Sequence, residues 1–166
     1  MAATSPRPRR AFTLLETLIA ASILAIITLA LTQAMAAGHM QTNAALEQAR
    51  ATTLLEAMIE EALILPYPTG TAPTGVLPPT RNAFTDLRQY HDYTEAPGTL
   101  VDHAGTTLPL PYQNFQRTVT IAENTTTAIA DLGITLTGLT VVVQVSLPDG
   151  RNWSAGRFIP DPNGGI

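Results

Sequence analysis

The stretch Arg9-Arg10-Ala11-Phe12-Thr13-Leu14-Leu15-Glu16, continued by Leu18-Ile-Ala-Ala-Ser-Ile-Leu-Ala-Ile-Ile-Thr-Leu-Ala-Leu31, organises the rest of the chain. Arg7, Arg9 and Arg10 precede the apolar run without an acidic partner, and after Glu16 the next formally charged side chain is Glu47. Small residues extend the uncharged run through Ala37. A helix rises about 1.5 Å per residue, so roughly 20 mostly apolar residues cross a bilayer core. Residues 12–37 pass that test and are predicted to span a membrane. The arginines before them predict a cytoplasmic N-terminus by the positive-inside bias, with everything after residue 40 on the other side.

Helical character continues past the apolar run. From Phe12 to Leu65 there is no proline, and Gly38 is the only glycine. Beyond Gly38 the pattern becomes one-sided: Ala51, Leu54, Leu55, Met58, Ile59, Ala62 and Leu65 form a stripe at helical spacing. Arg50, Glu56, Glu60 and Glu61 are read as lying mainly away from it. One continuous helix of about 50 residues, roughly 80 Å long at 1.5 Å per residue, is predicted. Its first half is suited to lipid and its amphipathic second half, 38–65, to a globular head. Pro66 and Pro68 end it.

Residues 66–111 are rich in Pro, Gly and Thr and read as a connecting region with room for short turns or one strand, its aromatics packing against the helix stripe, with Pro73, Pro78, Pro79, Pro97, Pro109 and Pro111 interrupting any long element. Strand signals follow. Phe115, Arg117, Val119 and Ile121 alternate with Gln116, Thr118 and Thr120, and Leu139 to Leu147 is rich in valine. Pro148-Asp149-Gly150 reads as a turn that returns Trp153 to Ile159 as a partner strand. Ile134 to Leu136 joins or leads into the same sheet. The expected fold class is α+β: a long N-terminal helix, then a small, mostly antiparallel β-rich head over 112–166.

Composition narrows the function classes. The formal net charge of −4 gives no electrostatic footprint for nucleic acid. The absence of cysteine excludes disulfides, thiolate zinc sites and cysteine nucleophiles. Ser5 and Ser22 fall in the leader and the apolar run, so a Ser-His-Asp site would need Ser146 or Ser154, and neither has a G-x-S-x-G setting. His91-Asp92 and Asp102-His103 have metal-ligand chemistry but read as solvated loop positions, and His39 follows the apolar run. Asp131 and Asp149 lack EF-hand spacing, and Asn124-Thr-Thr126 fits a glycosylation sequon. No catalytic, cofactor or metal site and no small-molecule substrate is expected.

The segment Arg9-Arg10-Ala11-Phe12-Thr13-Leu14-Leu15-Glu16 resembles the processing motif of type IV prepilins and type II secretion pseudopilins. In that family a basic leader ends in a small residue, a Phe-Thr-Leu segment follows, and a glutamate stands five residues past the cut. The resemblance implies a leader of residues 1–11, cleavage between Ala11 and Phe12, N-methylation of Phe12, and a role for Glu16 in subunit assembly. The family's usual residue before the cut is glycine, and here it is Ala11. Further along, Phe84-Thr-Asp86 to Tyr93, then Tyr112 to Val119 with Arg117-Thr-Val119, is similar to the head of some minor pilin-like proteins.

The resemblance implies a structural, minor subunit of a type IV pilus or a type II secretion pseudopilus. Its implied partners are a prepilin peptidase, other pilin or pseudopilin subunits, and the inner membrane. The chain would cross that membrane once, with a periplasmic head, before entering a filament. Two alternatives stay open. Arg9-Arg10-Ala-Phe12-Thr-Leu14 partly matches a twin-arginine signal, and Ala34-Met35-Ala36 is an acceptable signal-peptidase site. Either would release a soluble exported protein, and a plain single-pass anchored protein is the other option. Glu16 opposes the first, because a secretory apolar region normally carries no charge.

Overall fold

The computed structural model describes residues 13–70, 78–129 and 134–163. The expected leader, the Ala11–Phe12 bond, Pro73 and Asp131 lie outside them. Helix α1 runs from Leu14 to Leu63, 50 residues, as its proline-free, alanine- and leucine-rich composition predicts. The chain divides into two compact units between Ala45 and Leu46.

In the first unit, α1 from Leu14 to Ala45 buries none of its side chains. Leu14 is 79% exposed, and Ile19 and Ile23 are still 52% exposed. A polypeptide surface this apolar needs lipid or other helices around it. Its hydroxyl side chains bond back to the helix: Ser22, Thr28 and Thr32 donate to the carbonyls of Leu18, Leu24 and Thr28. No hydroxyl donor is thereby left unmatched in apolar surroundings. Among the described residues α1 is long and apolar enough to cross a membrane.

The second unit is an antiparallel sheet packed on the last turns of α1. Strands β1 (Thr94–Glu95), β2 (Gln116–Ile129), β3 (Ile134–Ser146) and β4 (Asn152–Pro160) lie side by side in chain order. Each neighbour pair is antiparallel, with Val119 opposite Val143 and Val143 opposite Ala155. Period-two alternation sends Phe115, Arg117, Val119 and Ile121 of the β2 segment, and Leu139, Val141, Val143 and Val145 of β3, into the core. There they meet the stripe Ala51, Leu54, Leu55, Met58, Ile59 and Ala62. Gly150, at φ +91°, makes the β3–β4 turn, where its N–H donates to the Leu147 carbonyl. The α+β class is the observed one.

Several details differ from expectation. α1 stops at Leu63 rather than Leu65, closing with bonds from the Ile64 and Leu65 amides to the Glu61 and Ala62 carbonyls. Strand β2 continues to Ile129 past a bulge between Ala122 and Thr125, where Asn124 takes φ 54°. As the aromatic residues of the stretch 78–111 suggest, Phe84 and Tyr90 pack in the core with the α1 stripe, and Leu87 and Leu100 join them. The short 3-10 turn Leu87–Tyr90 is capped by Asp86 and Gln89 in a reciprocal capping box. Glu61, read as lying away from the apolar stripe, is buried.

Candidate functional site

The start of α1 holds the part of the processing motif that the structure describes. Thr13 stands just before the helix, accepts the first helical bond from the Thr17 amide at its carbonyl, and receives the Glu16 amide on its hydroxyl at 3.3 Å. This is one half of a capping box, in which Thr13 and Glu16 hold the N-cap and third helical positions. Glu16 is thereby fixed in the first turn with its side chain exposed. A carboxylate there lies favourably toward the positive end of the helix dipole. Ala11 and Phe12 lie outside the described residues. The Thr-x-x-Glu spacing was the available signal for Thr13 as a cap.

In the head unit Glu61, read from the sequence as lying away from the apolar stripe, joins three other charged side chains in a buried chain of alternating sign. Glu61 on α1 accepts from Arg81 at 2.8 Å and from the Tyr90 hydroxyl at 2.8 Å. Arg81 approaches Glu95 of β1 at 3.5 Å, and Glu95 accepts from Nε of Arg117 on β2 at 2.7 Å. Glu61, Arg81, Glu95 and Arg117 are each 9% exposed or less. Removing four charges from water is costly unless each is paired and hydrogen-bonded, and here two carboxylates meet two guanidiniums. Burial, then the Glu95 charge, pushes the Tyr93 phenol up to about 12, and the Tyr93 hydroxyl donates to Glu95. Burial, followed by its bond to Glu61, raises the Tyr90 phenol further. Tyr93 also lies 5.7 Å beneath the Arg81 guanidinium.

The residues weighed for chemistry are dispersed. His91 Nδ1 accepts the Ile121 amide of β2 at 3.1 Å, and His103 lies 3.2 Å from Glu61. Asp102 accepts the Thr106 amide within its own turn, and Ser154 is exposed on β4. Asp149 is held below the usual carboxylate range by hydrogen bonds from Arg151. No group of three or more potential metal ligands occurs among the described residues.

Residues 6–32 match the family model described as the prokaryotic N-terminal methylation motif. No curated protein and no solved structure matches the chain. The matched segment contains Ala11, Phe12, the Thr13–Glu16 helix start and the exposed apolar turns up to Thr32. This motif, leading into an apolar helix and followed by an antiparallel head, is that of type IV pilin-like precursors, which prepilin peptidase processes.

Proposed function

We propose that the chain is a minor structural subunit of a type IV pilus or a type II secretion pseudopilus. Prepilin peptidase cuts it between Ala11 and Phe12 and methylates the new N-terminus. The observation that carries this reading is the combination of a matched methylation motif with a helix whose apolar side chains, from Leu14 to Leu31, stay exposed among the described residues. Before assembly those side chains are covered by the inner membrane, with the head periplasmic. In the filament the helices of neighbouring subunits replace the lipid, and Ala20, Ala21, Ser22 and Ala25 allow close approach. Glu16 then meets the N-terminal ammonium of an adjacent subunit inside an otherwise apolar bundle. The subunit has a structural rather than an enzymatic role.

The deciding measurement is the N-terminus of the membrane-extracted protein from its own host, by intact mass and terminal-peptide mass spectrometry. A start at N-methylated Phe12 is the expected result. A soluble species starting at Ala37 would overturn the reading in favour of an exported periplasmic protein.

A further inference from the structure

Beside the buried ion network lies a groove that none of the described residues fills. Its volume is about 440 Å³, and it runs between the α1 face carrying Ala57 and Glu60, with Ile64 just past the helix end, and the loop carrying Asp102, Leu108 and Tyr112. The walls are mainly apolar, whereas Glu61, Arg81 and Arg117 at its base are already committed to one another and to Glu95. A concave site of this size and lining is suited to one or two apolar groups.

Two further observations say what kind of group. Among described residues beyond Ala45, the two most exposed large apolar side chains are Leu110 at 85% and Ile64 at 77%. Ile64 lines the groove, and Leu110 belongs to the same 3-10 turn, Leu110–Tyr112, as the lining residue Tyr112. The exposed carboxylates of the lining are Glu60 and Asp102, the exposed His103 of the lining is 3.2 Å from the Glu61 carboxylate, and both lining arginines are buried in ion pairs. The groove therefore offers apolar walls with a negative rim, and its complement is apolar with a positive flank.

Resting on the assembly reading above, we propose that this groove docks a polypeptide segment of a neighbouring pilin-type subunit. That segment presents an aliphatic or aromatic side chain beside a lysine or arginine. The apolar side chain enters between Ile64 and Leu108, and the cation meets Glu60 and Asp102. The contact is heterologous, groove on one subunit and segment on the next, which is the kind that propagates along a filament instead of closing into a dimer.

The test places a photoreactive benzoyl-phenylalanine at Ile64 in the full chain, expressed in its host, with the same probe at the exposed Ser154 of β4 as control. Irradiation is expected to join Ile64 to a pilin-type subunit through a peptide in which an apolar residue neighbours a lysine or arginine. The double reversal Glu60→Lys/Asp102→Lys is expected to lower that adduct about tenfold or more, because like charges then face each other across the rim. It leaves any Ser154 adduct unchanged. Adducts only to lipid, adducts indifferent to the charge reversal, or no adduct at Ile64 would each overturn the docking proposal. Filament incorporation is scored in the same cells. Incorporation without the Ile64 adduct sinks the groove alone, and failure to incorporate sinks the assembly reading together with it.

Discussion

Arg81 and Arg117 donate to the same acceptor, the carbonyl oxygen of Val101, at 2.7 and 2.8 Å. The shared carbonyl ties the loop that bears Asp102 and His103 to α1 through Glu61, and to the sheet through Glu95 and β2. Each guanidinium satisfies a carboxylate and this one carbonyl, so the two positions act as a unit.

Arg117→Ala is expected to destabilise the head by about 3–5 kcal/mol, because it leaves Glu95 buried with reduced compensation. Glu95→Leu combined with Arg117→Leu should cost clearly less than the sum of the two single changes, because the double variant strands no charge. Urea unfolding of the detergent-solubilised full chain, followed by the fluorescence of its single tryptophan, Trp153, supplies the cycle. Strictly additive costs would mean that the arginine and the carboxylate are not energetically coupled.

Gly138 and Gly156 provide an internal comparison within one ladder. A Cβ on Gly138 would stand 2.1 Å from the Ile159 carbonyl oxygen, an impossible contact with backbone. A Cβ on Gly156 would meet the Val141 carbonyl oxygen at 3.5 Å, an ordinary contact. Gly138→Ala should therefore cost about 1–3 kcal/mol or more by forcing β3 and β4 apart, whereas Gly156→Ala should stay within about 0.5 kcal/mol of the parent. Equal melting temperatures for the two variants would contradict the close approach.

The elements written in periodic apolar residues were legible. The alternation through Phe115–Ile121, the valine run of β3 and the Pro148-Asp149-Gly150 turn each follow from local chemistry that tertiary structure did not override. Within the charged core only Glu61 was misread, because its charge was taken as a sign of exposure. Glu61 in fact follows Leu54 and Met58 at helical spacing, and Arg117 lies between Phe115 and Val119 on the inward side of β2. A charge at an inward position demands a buried partner, but the partners Arg81 and Glu95 come from the Pro-rich stretch, where no period points to them. The bulge at Asn124 and the extension of β2 to Ile129 rest on cross-strand pairing with β3, which a single strand's pattern does not encode.

Tyr93 sets an alkaline limit on stability. Its folded-state pKa of about 12 lies above the ordinary value of 10.0, first because of burial and then because of the Glu95 charge. Between those values the unfolded chain releases a proton that the folded chain keeps. Unfolding then gains free energy with rising pH, so the contribution is whole below pH 10 and is lost as pH rises toward 12. Thermal unfolding from pH 9 to 12 should show a falling melting temperature, and Tyr93→Phe should flatten that slope. An unchanged slope in the Phe variant would assign the alkaline limit to other groups, Tyr90 first among them.

Processing should depend on the size of the residue before the cut. Alanine is the next smallest side chain after the glycine usual before the cut in prepilins, so Ala11→Gly is expected to be cleaved at least as completely as the parent. A bulky cation, Ala11→Lys, should leave the leader attached. The readout is the ratio of precursor to mature protein by mass spectrometry of membrane extracts, and complete cleavage of the lysine variant would move the cut site elsewhere.

Glu16 can be altered without disturbing the helix start that holds it. The bond to Thr13 uses the Glu16 backbone amide as donor, so Glu16→Ala and Glu16→Gln both keep the cap and remove only the charge. Deleting a carboxylate from an apolar helix also eases membrane insertion, since such a charge costs about 2.5–3.5 kcal/mol at the bilayer centre and less near the interface. Both variants should therefore insert at least as well as the parent. If Glu16 neutralises a neighbour's N-terminal ammonium during assembly, both should nevertheless lose incorporation into filaments, about tenfold or more for an interaction worth 1.4 kcal/mol. Comparing membrane-fraction abundance with the sheared-filament fraction separates the two effects. Parental incorporation of the Gln variant would leave its hydrogen-bonding shape, and not its charge, as what assembly requires.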